Sequence, residues 1–126
     1  MDELEKCRVD KKHKLDVQKY YKDIVAYLEW CESLSVLIQK GVMDFETVDN
    51  LYSYRFFLIT NNEYVQKLEL VPEREFYKGV FALHKMWSDY KRKTNQTIMQ
   101  NETDLSKVEC YEEFVIKGDF YNNKKH

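Results

Sequence analysis

Residues 30–44, WCESLSVLIQKGVMD, carry the end of one helix, a stop signal and the start of a second helix. Cys31, Leu34, Ser35 and Ile38 recur at three- and four-residue steps, the spacing that lines up one side of an α-helix. Gly41 then supplies a residue that tolerates the left-handed conformation at a helix end, and Asp44 is a residue type that accepts from the free N–H groups of a new helix. So short a connection makes neighbouring helices antiparallel, which predicts a helical hairpin. Glu32 interrupts the apolar run. A carboxylate so placed loses solvation unless a cation answers it, and Arg55, midway along the second helix, offers a planar fork of donors. The expectation is a structural ion pair, Glu32 with Arg55, that serves folding rather than chemistry.

Val17, Tyr20, Ile24, Tyr27 and Leu28 extend the same stripe, so the first helix is expected from about Asp10 or Asp16 to Lys40. The second is expected over roughly Phe45 to Glu69, with Val48, Leu51, Tyr52, Leu58 and Ile59 on one stripe. Pro72 suits the first turn of a third helix, which buries Phe76, Val80, Leu83, Trp87 and Tyr90 and ends near Lys91, Arg92 and Lys93, whose cations suit a carboxyl end. From Asp104 to Lys117, helical spacing of Leu105, Val108, Tyr111 and Val115 competes with strand-like alternation of Cys110, Phe114 and Ile116. The segment is taken as a short helix, with Gly118 ending it and residues 118–126 forming a loose tail.

A chain of 126 residues suits one domain with a real core, here expected from about residue 10 to residue 94. Three glycines and one proline leave little punctuation for an all-β fold, so the expected class is all-α, a three- to four-helix bundle around a helical hairpin. Cys7, Cys31 and Cys110 are odd in number and widely spaced, which fits neither a disulfide framework nor paired metal ligands and points to a reducing, cytoplasmic setting. The charged start, MDELEKCRVDKKHKLD, has no signal-peptide core, and no apolar run is long enough for a membrane span.

The segment from Tyr27 to about Lys93 resembles a family of bacterial and phage helical proteins classed as a domain of unknown function. The likeness rests on an aromatic first helix bearing a glutamate, YLEWCESLSVLIQKGVMD, whose Gly-x-x-Asp turn leads into a second helix with an arginine, LYSYRFF, and on a third helix ending MWSDYKRK. The resemblance implies a helical fold and a phage or mobile-element setting, and supplies no activity.

No residue set of a familiar catalytic kind is present. Ser33 and Ser35 lack a nucleophile-elbow turn, there is no Gly-rich phosphate loop, and His13 and His84 lack the spacing that puts two metal ligands on one helix face, so they are expected as core or boundary residues. No catalytic residue, metal or cofactor is expected. The expected function is a non-catalytic protein–protein interaction module in the cytoplasm, its partner another protein or a second copy of this chain in a homodimer, with no membrane. Tyr54, Phe57, Tyr64 and Leu68 follow helical spacing opposite Val48 and Arg55, and form the expected interaction surface unless the segment from Asp104 to Lys117 folds over them. The alternative is a small nucleic-acid-binding accessory protein that uses Lys85, Lys91, Arg92 and Lys93 at the end of the third helix. It is disfavoured because the formal charge is only −2, which creates no general attraction to phosphate, and because those cations also suit a plain helix terminus.

Overall fold

The structure, a computed structural model, describes residues 2–10, 12–96 and 103–113. It is all-α: α1 (Asp2–Val9), α2 (Tyr21–Gln39), α3 (Phe45–Thr60), α4 (Glu63–Val65) running into a π-helical stretch (Gln66–Leu70), and α5 (Lys78–Lys93), followed by 3₁₀ turns at Leu105–Lys107 and Glu109–Glu113. Among the described residues there is no strand, and no helix is long and apolar enough to cross a membrane.

The turn after α2 forms as its residues demand. Gly41 sits at φ +74°, and the N–H groups of Gly41 and Val42 reach back to the carbonyls of Ile38 (3.1 Å) and Leu37 (3.0 Å), a crossed pair that satisfies the last free carbonyls of the helix. Asp44 then caps α3, accepting from the Thr47 N–H at 2.9 Å. The hairpin differs from expectation in its packing. The main partner of α2 is α5 rather than α3, because Ile24, Leu28, Cys31, Leu34 and Ile38 of α2 and Val80, Phe81, Leu83 and Trp87 of α5 are all buried together.

Three helix boundaries move, each for a local reason. The first long helix starts at Tyr21 rather than near Asp10 or Asp16. Both aspartates spend their side chains on turns instead, accepting from the N–H groups of Lys12 (3.0 Å) and Lys19 (3.2 Å), a bond that competes with helix. The second helix stops at Thr60, not Glu69. Asn62 leaves the helical conformation and its side chain accepts from Tyr64 and Val65 N–H (2.9 and 3.1 Å), so a new helix starts there. The third begins at Lys78. Pro72 and its neighbours form turns, pinned by the Tyr77 hydroxyl donating to Glu69 at 2.6 Å, and Phe76, expected in the core, is 76% exposed.

The core also begins before residue 10. α1 packs on α3 with Leu4 fully buried, and its polar face is held by pairs between Glu3 and Lys6 (3.3 Å) and between Glu5 and Arg8 (2.5 Å). A single leucine in a charged octapeptide gives no periodicity to detect. At the other end, the expected helix from Asp104 appears as the two 3₁₀ turns, with Leu105, Cys110 and Tyr111 buried; residues 114–126, including the rest of that helix and the tail, lie outside the described residues.

Candidate functional site

Glu32 finds a different partner from the one its position suggested. Its Oε2 accepts from the Val80 N–H at 2.6 Å, with the Gly79 N–H adding to the hold, so α2 supplies the cap that α5 lacks at its own N-terminus. No ion pair joins Glu32 to Arg55. Gly79 makes this possible. A Cβ there would stand 2.7 and 2.8 Å from the two carboxylate oxygens.

The expected result is a sign that depends on background. Glu32→Ala should cost about 1–2 kcal/mol, the worth of a cap. Gly79→Ala should then stabilise by about 1 kcal/mol through helix propensity in the Glu32→Ala protein, but give no gain or a loss in the wild type, where it evicts the carboxylate. Denaturant unfolding of the four proteins checks this, and additive effects would contradict the close approach. Burial pushes the Glu32 carboxyl above its ordinary value, with the two N–H groups pulling it back. The native state therefore holds this proton to higher pH than the unfolded chain, and the contribution weakens as pH rises through the native value.

With Glu32 engaged elsewhere, Arg55 makes no hydrogen bond or ion pair among the described residues, and its Nη1 is buried without a partner. The Tyr27 hydroxyl is buried without one as well. The two are close enough for the guanidinium to pull the Tyr27 phenol down, against the larger effect of burial, which raises it. The Cys31 thiol lies near enough to affect the same hydroxyl but lacks hydrogen-bond geometry. Tyr27 and Trp30 lie three residues apart on α2, as do Tyr52 and Arg55 on α3, so each pair shares a helix face. Their rings join across the two helices: Tyr27 to Trp30 is 5.6 Å between centroids and Trp30 to Tyr52 is 5.0 Å. Trp30 is 38% exposed, Tyr52 39% and Tyr54, next along α3, 52%. Tyr54 donates its hydroxyl to Glu5 of α1, and Glu5 also holds Arg8.

This aromatic surface overlaps the expected one only at Tyr54. Phe57 is 2% exposed, set edge-on to Phe56 and His84, and belongs to the core. Tyr64 and Leu68 fall after the break at Asn61 and Asn62, so they no longer share a helix with Tyr54; Tyr64 is partly buried and Leu68 exposed. Leu51 and Tyr52, expected to face inward, are exposed, because α3 turns Asp49 and Phe56 toward α5 instead. The Asp104 segment folds back, but over His84 and Asn61 rather than over Tyr54.

The basic end of α5 is not a free positive patch. Lys91 is buried and paired with Asp49 at 3.0 Å, and the same ammonium donates to Ser53 and Gln96, each at 3.1 Å. Asp49 also accepts from the Trp87 indole N–H at 2.7 Å. Lys85 and Arg92 share the carboxylate of Asp89, at 3.1 and 2.9 Å. Lys93 is exposed.

His84 is fully buried in a polar network that ties the C-terminal segment to the bundle. Asn61 Oδ1 accepts from the Leu105 N–H (2.8 Å), so the neighbouring His84 Nε2 must donate to it (3.0 Å), and Nδ1 accepts from the Tyr111 hydroxyl (2.7 Å). Each group of the neutral ring is thereby satisfied. Burial holds the imidazole down to about 4, with Asp104 opposing and Arg92 assisting. Between that value and the ordinary 6.5 the unfolded chain binds a proton that the native protein does not, so stability rises with pH. Acidification from pH 7 to 4 should therefore remove on the order of 3 kcal/mol through this residue. Urea titrations across that range check it, and an equal slope in a His84→Gln protein would contradict it.

Among the described residues no group of three or more His, Cys, Asp and Glu side chains is placed to hold a metal ion. No protein-family model matches this chain, and no curated protein or solved structure matches it either. What the fold and this geometry define is an all-α helical bundle with an aromatic face across α2 and α3.

Proposed function

We propose that this chain is a non-catalytic protein–protein interaction module that binds through the α2/α3 face. The observation that carries the proposal is the exposed, mutually packed pair Trp30 and Tyr52 with an arginine beside them that has no partner among the described residues. Tryptophan, tyrosine and arginine are the residues that dominate binding energy where they cluster, and the fold gives these particular ones no full burial of their own. The neutralised basic end of α5 leaves the nucleic-acid alternative without its main support. Cys7, Cys31 and Cys110 as free thiols support a reducing, cytoplasmic setting. A phage or mobile-element setting rests on the resemblance of residues 27–93 alone.

The test is site-specific photo-crosslinking in the cell of origin, with the reactive residue placed at position 52 or, as a control, at exposed position 109. A discrete protein adduct from position 52, lost when Trp30→Ala is added, is the expected result, and an adduct at twice the mass of the chain identifies a homodimer. Equal labelling from both positions, or adducts indifferent to Trp30, would overturn the proposal.

A further inference from the structure

We infer that the α2/α3 face receives a carboxylate side chain of a protein partner, bound by Arg55 and the Tyr27 hydroxyl beside the packed rings of Trp30 and Tyr52. The inference rests on the protein-binding role proposed for this face and names the chemistry of its occupant.

Two buried donors, Arg55 Nη1 and Tyr27 OH, have no acceptor among the described residues, and the Tyr27–Trp30–Tyr52 ring contacts, with Arg55 three residues on from Tyr52, bring both to one face. Buried donors are almost always paired, so two orphans on one face indicate an acceptor from outside the described residues. A single group accepting from both, and carrying the charge that Arg55 lacks opposite it, is an anion. Its size follows from the local charge. Glu5 is paired with Arg8 and also feels the Arg55 charge, so among these three described groups one positive charge is left over. One guanidinium matches one carboxylate, in geometry as well as in charge. A nucleic-acid backbone, by contrast, is held by several cations acting together. The exposed faces of Trp30 and Tyr52 meet apolar atoms flanking that carboxylate, as a peptide provides and a free anion does not. Because neither donor atom is exposed in the unbound protein, side chains around them must rotate on docking, a common change at interfaces.

The experiment uses the full chain and two displayed libraries of twelve-residue peptides, identical except for a fixed central Glu in one and Gln in the other. Selected peptides are then titrated against wild type, Arg55→Met, Tyr27→Phe and Trp30→Ala, each first shown to fold by its melting curve. The expected result is enrichment from the Glu library, with a loss of about 10- to 100-fold when the peptide Glu becomes Gln, a loss that shrinks to near nothing on Arg55→Met. Peptides that need Trp30 but bind wild type and Arg55→Met equally would overturn the carboxylate while leaving the interaction face standing. No enrichment from either library, or binding indifferent to both Trp30 and Arg55, would sink both. Inorganic phosphate titrated into labelled protein supplies the remaining arm: amide shifts around Arg55 without peptide enrichment mean a free-anion site and also overturn the inference.

Discussion

Asp49→Ala is expected to lower the unfolding free energy by about 3–5 kcal/mol, the range for stranding one member of a buried ion pair. The Asp49 and Lys91 side chains are 5% and 10% exposed and 3.0 Å apart, at the start of α3 and the end of α5. Removing the carboxylate leaves the ammonium with only the neutral acceptors of Ser53 and Gln96, and leaves the Trp87 indole N–H, at the centre of the aromatic core, with no acceptor. Asp49→Asn should cost less, since an amide oxygen still accepts from the indole. The double change Asp49→Leu with Lys91→Met should recover most of the loss, because it strands no charge. Chemical denaturation of these proteins checks the series. A cost near 1 kcal/mol for Asp49→Ala would mean that the pair is solvated and that the end of α5 lies open.

Phe57→Ala is expected to cost about 3–5 kcal/mol, whereas Tyr54→Ala, three residues earlier, should cost about 1 kcal/mol or less. Phe57 fills the space beside Phe56, His84 and Trp87, so truncating it opens a cavity in rigid aromatic surroundings that relax poorly. Tyr54 is half exposed and loses one hydrogen bond to a surface carboxylate. Melting curves of the two variants decide between a core and a surface role for each. Equal, small effects would return Phe57 to the surface.

The fate of Phe57 shows where pattern on a sequence fails. Phe56 to Thr60 are all buried, because α5 and α1 both pack on α3 and Gln66 of the π-helical stretch reaches the Thr60 carbonyl. A helix end enclosed in this way carries no polar stripe, and its extra aromatics then look like surplus surface. Periodicity succeeded where one side faces water, as in α2, and the Gly41 and Asp44 signals succeeded because they act within a few residues. The Asn61 and Asn62 pair was a readable break, hidden by apolar spacing that continues past it. Glu32 was correctly legible as a carboxylate needing an answer, but its answer is a pair of backbone N–H groups made accessible by Gly79, and no side-chain inventory contains them. Lys91 misled for the opposite reason: a cation at a helix end has an adequate local explanation, while its real partner lies 42 positions away.

Glu32 serves the fold and Arg55 does not. Unfolding of Arg55→Met in denaturant tests this most directly, since the substitution keeps the length of the side chain and removes only its charge and donors. Losing an unsatisfied buried donor should leave stability unchanged or raise it by about 1 kcal/mol. A loss of about 3–5 kcal/mol, the signature of a broken buried pair, would mean instead that Arg55 is held by a carboxylate within the fold.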